Sequence, residues 1–421
     1  MRLKSVSQNK KEVVMHIKKI IILACMGLQA IAAPFAYVTN AESDTVTVID
    51  IATNTPVVDI PTGGEFPIAI AITPDNKTAY VVNNNTGDVT PIDIATNTAG
   101  PVIPVGASPF DVAITPDGKT AYIAVGGSNT IVPIDIATNT VGTAIGKPGT
   151  PTGIAITPDG TTAYVANQGL NSVTPITLAT GTLGTDIPVG TAPVRVAITP
   201  DGKKAFVVNN GSSDVTIIDL TTNTVITTVA AGLSPSGIVI SHDGKTAYVT
   251  STGTNTIIPI NVATNTAGAP IVDGDAPFGI AITSTNATLY VTNFVNVGTV
   301  TPITVATGVL GVPIPVGSRP AAIAITPIPQ TPKFIGLVKK NIFLDRVELV
   351  LQASWSADPF SNVSFYRIFK GDKLVDEVLV GFPLVFVTGV CSKREAQKFF
   401  LAAVSTGGVE GERVQITIVN N

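Results

Sequence analysis

Two charged residues break a rule that the rest of a repeated sequence keeps. Asp111 and Arg195 stand where the other copies place Ala69, Gly153, Gly237, Gly279 and Ala322. A carboxylate and a guanidinium brought together could make a small polar binding site, and Phe66, Phe110 and Phe278 add apolar surface close by. The plain alternative is an ion pair with a structural role. Proton transfer near neutral pH usually calls on histidine, and the only one beyond residue 32 is His242. It lies in Ser241-His-Asp-Gly244, a turn whose tip is expected to be solvated.

No histidine pair, cysteine cluster or carboxylate–histidine motif offers a zinc or iron site. Asp75, Asp117, Asp159, Asp201 and Asp243 recur in turns, where Asp is favoured for its own backbone hydrogen bonds. Calcium would need several oxygen ligands from one loop, which these turns do not supply. Asp50, Asp93, Asp135 and Asp219 read in the same way. The sequence therefore predicts no metal, no cofactor and no catalytic residue.

The elements that must position these groups are read from the repeat itself. One aromatic residue per copy falls at Tyr37, Tyr80, Tyr122, Tyr164, Phe206, Tyr248 and Tyr290, a period of 43 residues once and 42 thereafter. Each copy holds four short apolar runs. In one of them, Gly153 to Thr157 leads through a Pro-Asp-Gly turn to Thr162–Ala166, then to Ser172–Ile176, then to Leu183–Val189. Four antiparallel strands in about 42 residues is the spacing of a propeller blade. The first runs alternate branched residues such as Ile154 and Ile156 with Ala or Gly. Alternate strand residues point to opposite faces, so each blade offers a large face to one neighbour and a small face to the other.

The chain enters the array at Ala36-Tyr-Val-Thr-Asn40, a second strand without its first. It leaves at Pro320–Thr326, a first strand without its second. The expected fold is an all-β, seven-bladed β-propeller over residues 33–326, closed by pairing of residues 319–326 with 36–40. Pro91, Pro133, Pro175, Pro259 and Pro302 lie inside third strands, where proline is unexpected.

Ala36-Tyr-Val-Thr-Asn40 and Ile156-Thr-Pro-Asp-Gly160 together resemble the YVTN family of propeller repeats found in surface-layer and exported proteins. The resemblance covers residues 36–326. It implies the fold, and a role as scaffold or binding platform. The repeat also resembles seven-bladed lactonase propellers, which rely on acidic, basic and histidine groups at the channel; here only Asp111 and Arg195 match.

Composition agrees with an all-β chain: 45% of residues are hydrophobic, 13% charged and 5% aromatic. Residues 33–332 carry 19 Asp and Glu against 8 Lys and Arg. So few cations exclude phosphate neutralisation, and with it nucleic acid and anionic membranes as expected partners. Lys10, Lys11, Lys18 and Lys19 precede an apolar run from Ile20 to Ala33, which reads as a signal peptide over 1–32 and is too short to span a membrane. Cleavage would leave one cysteine, Cys391, and no internal disulfide.

Pro327–Pro332 reads as a stiff linker. Residues 333–421, with Trp355, Tyr366-Arg-Ile-Phe369, Phe399–Val404 and Gly408-Val-Glu410, resemble a fibronectin type III or immunoglobulin-like β-sandwich, in which Phe399 stands at the usual corner tyrosine. The expected function is an exported, non-enzymatic scaffold for protein or cell-surface interactions, in the periplasm, on the cell surface or secreted. A lactonase-like enzyme or small-ligand binder using the funnel is one alternative, and a structural surface-layer component another.

Overall fold

The computed structural model describes residues 34–326 except 147, 148 and 274, together with the backbone of strands between 335 and 419. Over 34–326 seven antiparallel sheets follow one another around an axis, as the repeat predicts. The inner strands are Pro320–Ile325 in blade 1, then Pro67–Ile72, Pro109–Ile114, Pro151–Ile156, Pro193–Ile198, Pro235–Ile240 and Pro277–Ile282 in blades 2 to 7. Blade 1 is the composite one. Tyr37 faces Ala324 and Val38 faces Ile323 across its two inner strands, so the ends of the array close the ring.

The core lies between blades rather than within any one of them. Ala69, Tyr80 and Val82 of blade 2 pack on Val112, Ala121 and Ile123 of blade 3. Ala79, Val81 and Ile70 on the reverse face pack on Tyr37, Val46 and Val48 of blade 1. A flat sheet buries neither face alone, so each blade depends on both neighbours.

Tyrosine hydroxyls stitch the same seams. Tyr37 donates to Asn97 Oδ1 at 2.6 Å, Tyr80 to Asn139 at 2.5 Å, Tyr164 to Asn223 at 2.7 Å and Tyr290 to Asn54 at 2.6 Å, each in the next blade. These asparagines adopt a left-handed backbone with φ of 53 to 56°, which Asn and Gly tolerate best. Gly181 and Gly308 fill that turn position opposite Tyr122 and Tyr248, and offer no side-chain acceptor. Burial pushes the Tyr80 and Tyr290 phenols up to about 12.

The internal prolines have a structural answer. Pro91, Pro133, Pro175, Pro259 and Pro302 each face the aromatic-bearing strand on one side and break the outer strand on the other. Lacking an N–H, proline leaves the fourth strand in two-residue pieces, as at Thr182–Leu183 and Ile187–Pro188, in place of the continuous run expected from Leu183 to Val189. The proline carbonyl still accepts from a glycine: Gly100, Gly142, Gly184, Gly268 and Gly311 donate to it at 2.7 to 2.8 Å. A Cβ on those glycines would crowd the proline ring, at 2.8 Å for Gly184. Blades 1 and 5 carry Val48 and Ile217 instead, and there the outer strands Thr55–Pro61 and Thr224–Ala230 run for seven residues.

Beyond residue 334, the eight described strands form two four-stranded sheets, one holding Ile335–Ile342, Val347–Ser354, Leu384–Val387 and Thr417–Val419, the other Val363–Lys370, Lys373–Leu379, Phe399–Ser405 and Val414–Gln415. The side chains of Trp355, Phe399 and Cys391, and the segments expected to be a signal peptide (1–32) and a linker (327–332), lie outside the described residues. Among the described residues no helix is long and apolar enough to cross a membrane.

Candidate functional site

Every inner strand begins with proline, and the residue before it is bent into the left-handed region. Phe66, Ser108, Thr150, Ala192, Ser234, Ala276 and Arg319 have φ between 50 and 60°. Each such residue costs about 1–3 kcal/mol of backbone strain, which the surroundings must offset. Side chains from the preceding blade help to do so: Asp44 accepts from the Phe66 N–H at 2.8 Å, Asn129 from Thr150 at 2.9 Å, Asn171 from Ala192 at 2.9 Å and Asn255 from Ala276 at 3.0 Å. These bends bring the starts of all seven strands to one end of the channel.

There the structure gathers four of the five residues singled out in the sequence. Phe66, Phe110, Phe278 and Arg195 line one cavity of about 300 Å³, together with Phe294, Val194, Asn84, Gln168 and Asn210. Phe278 and Phe294 stack with ring centroids 4.8 Å apart. Arg319 sits 5.7 Å above the Phe294 ring and pairs with Glu42 at 2.8 Å. Gly126 makes room for Phe110, because a Cβ there would fall 2.7 Å from the phenyl ring.

Asp111 lies deeper, in an axial channel of about 220 Å³ lined from all seven blades, which it shares with Arg195 and Phe278. The small residues of this level are required by contact: a Cβ on Gly153 would come 2.7 Å from Arg195 Cα, and one on Gly279 2.4 Å from the Ala321 carbonyl. Asp111 fits because its carboxylate accepts the N–H of Ile154, on the inner strand of the next blade, at 3.1 Å. Solvent reaches part of the residue, yet protein walls its carboxyl, and the wall dominates. Burial pushes the Asp111 carboxyl above the usual range, opposed by the charge of Arg195 and the amides of Ile154 and Val112.

The expected Asp111–Arg195 ion pair is not a contact. Arg195 donates through Nη1 to its own neighbour, the Val194 carbonyl, at 3.3 Å, and feels Asp111 only through space.

Asn84, Gln168, Asn210 and Phe294 escaped the sequence reading. They follow the residue that ends each second strand, a register occupied by Ala41, Asn84, Gly126, Gln168, Asn210, Thr252 and Phe294. Variation in an otherwise uniform repeat was the available signal. Two of them also bind the next blade: Asn84 donates to the Pro109 carbonyl at 2.8 Å and Asn210 to Pro235 at 3.0 Å.

The remaining candidates take structural positions. The turn aspartates accept from a threonine or, at Asp243, a serine hydroxyl and from a turn amide, as Asp159 does from Thr157 at 2.6 Å and Thr161 at 3.0 Å. Asp93 and Asp135 likewise cap their loops. His242 is exposed at the far end of its inner strand from the phenylalanines, beside Asn286. Among the described residues no group of three His, Cys, Asp or Glu could hold a metal ion.

No family model and no curated protein matches the chain. Solved structures do, at the level of fold. Hydrazine synthase of Kuenenia stuttgartiensis is 22% identical over 69% of this chain and 96% of its own, with a TM-score of 0.57. A functionally unknown protein of Desulfotomaculum acetoxidans is 22% identical over 70% and 99%, with a TM-score of 0.61. A "putative 6-phosphogluconolactonase" of Bacteroides uniformis is 17% identical over 70% and 100%, with a TM-score of 0.59. The chain is thus similar to seven-bladed propellers of several kinds, and at these identities the similarity speaks for the fold alone.

Proposed function

We propose that the protein is an exported, non-catalytic binding propeller of the YVTN kind, which holds a protein or cell-surface component of the envelope at the funnel mouth formed by Phe66, Phe110, Phe278 and Arg195. One observation carries this reading. Phe66, Phe110, Phe278 and Arg195, which depart from the sevenfold repeat, collect in one cavity, while the opposite ends of the inner strands in blades 2 to 5 keep one Thr-Pro-Asp turn. A ring needs no Phe110 or Arg195 to close, so their concentration favours recognition. Export rests on the signal-peptide pattern of residues 1–32, and the fibronectin type III-like assignment of 333–421 rests on sequence; that segment would extend or dock the propeller.

A photo-crosslinking phenylalanine analogue placed at Phe110 in the full chain, in living cells, tests the reading. A discrete adduct is expected from Phe110 and not from a control at Asp159 in the far turn. Equal labelling at both, or none at Phe110, overturns it.

A second reading, a lactonase-like enzyme, draws on the shared fold with the Bacteroides uniformis protein and on the upward-shifted Asp111 carboxyl beside Arg195. Among the described residues lining the channel, no second proton-transfer group joins Asp111, and His242 lies at the other end of its strand.

A further inference from the structure

We propose that the funnel mouth recognises a carboxylate carried on an apolar or aromatic body, with Arg195 as its counter-ion and Phe66, Phe110 and Phe278 as its wall. This rests on the binding role of the same cavity and names its ligand chemistry.

Arg195 is the pivot because it lines both the mouth and the channel beneath it. Guanidinium carries five N–H donors in a planar fork and stays charged at any working pH. Here one of those donors is engaged, by the Val194 carbonyl at 3.3 Å, and no carboxylate of the described residues touches the group. Among the described residues the other cation at this end, Arg319, is already paired with Glu42 at 2.8 Å and bonded to Asn296 at 3.3 Å. The two arginines differ in whether their charge is met, and only Arg195 faces the cavity with its fork open.

Asp111 lines the channel and not the mouth, and its carboxylate is held by the Ile154 N–H at 3.1 Å. It can temper Arg195 but does not occupy it. The cavity wall supplies the rest: three half-buried phenylalanine rings and Val194 surround the charge with low-dielectric surface, which strengthens a bidentate guanidinium–carboxylate contact. Gln168 is exposed at the rim, with an amide able to orient a polar group next to the carboxylate. A volume of about 300 Å³ suits one amino-acid-sized body.

Such a carboxylate has two sources: a free small acid, or the carboxy terminus of a partner chain ending in an apolar residue. Calorimetry on the full chain separates them. The probes are N-acetylphenylalanine, its carboxamide, and a pentapeptide ending in phenylalanine as free acid and as amide. Binding of an acid at least tenfold tighter than its amide, lost by tenfold or more in Arg195→Gln and partly kept in Arg195→Lys, is the expected result. Equal affinity for the single residue and the peptide assigns the free acid; binding of the peptide alone assigns the chain terminus. Amides that bind as well as acids, acids that leave Arg195→Gln unaffected, or no heat from any probe at millimolar concentration overturn the inference. Circular dichroism confirms that the variants keep the fold. Should the Phe110 adduct form in cells and persist in Arg195→Gln, the binding role stands and the carboxylate chemistry falls. Should the acids bind without any adduct, the reverse holds.

Discussion

Lys204 Nζ donates to Asn265 Oδ1 at 2.9 Å and to the Val262 carbonyl at 2.7 Å, and in doing so replaces a hydroxyl that its blade lacks. In blade 2, Tyr80 reaches Asn139 and the Ile136 carbonyl in the same arrangement. Blade 5 has Phe206 at the tyrosine position, and Lys204, two residues earlier on the same strand face, spans the gap with its longer side chain.

Removing that cation should expose the debt left by Phe206. Lys204→Met is expected to lower stability by about 1–2 kcal/mol, because the asparagine and the carbonyl each lose a charged donor. The double variant Lys204→Thr, Phe206→Tyr recreates the Thr78–Tyr80 pattern and should recover most of the loss. Chemical denaturation of the three proteins checks this, and an unchanged midpoint in Lys204→Met would refute the replacement.

Ring closure makes its own demand. A chain ending at Ser318 loses the inner strand of blade 1 and leaves Tyr37 and Val38 without their partners Ala324 and Ile323. Its melting temperature should fall well below that of a chain ending at Pro332. Equal melting temperatures would mean that the ring does not depend on this pairing.

The proline–glycine pairing of the outer edges can be tested one partner at a time. Gly184→Ala places a Cβ about 2.8 Å from the Pro175 ring and should cost about 1–3 kcal/mol through overpacking. Combined with Pro175→Ile, which restores the residue type seen at Ile217, the cost should shrink. Thermal melts of the single and double variants measure the coupling; simple additivity would contradict the contact.

Asp273 predicts a pH dependence. Its carboxyl is raised from an ordinary value near 3.8 to about 6, first by burial, with Asp275 adding to it and Thr301 opposing. The Thr301 hydroxyl tempers the shift without a hydrogen bond of normal geometry, since both carboxylate oxygens lack a partner. A raised carboxyl favours the protonated folded form. Its contribution to stability is therefore full below about pH 4 and is lost as pH rises through about 6. Asp273→Asn should leave stability unchanged at pH 3.5 and raise it by about 2 kcal/mol at pH 8. Urea midpoints at the two pH values decide; a gain at low pH instead would reverse the assignment.

Asp111 opposes Arg195, so Asp111→Asn should tighten binding of N-acetylphenylalanine several-fold at neutral pH and flatten its pH dependence. Weaker binding in this variant would show that Asp111 supports the ligand rather than tempering its counter-ion.

Repetition made the fold readable. One copy of Pro151–Asn167 is ambiguous, but seven copies aligned on Tyr37 to Tyr290 fix strand number, blade number and closure, because every register must satisfy all copies at once. Asp111 and Arg195 stood out for the same reason, against a background of Ala and Gly that inter-blade contact enforces. The fragmented outer strands were less readable, since proline at 175 and glycine at 184 act only together. Lys204 was silent because its partner lies 61 residues away in the next blade. Asn84 and Gln168 belong to a register whose side chains differ from copy to copy, a variation legible only once the seven blades are aligned on it.

The two ends of the propeller meet at one place. The Phe35 N–H donates to the Thr326 hydroxyl at 2.8 Å, and the Thr326 N–H to the Phe35 carbonyl at 2.9 Å. Tension applied between residue 34 and residue 326 would enter and leave the molecule at the same end of one antiparallel strand pair. It would part those bonds in succession, like a zipper, while the other six blades bore almost no load.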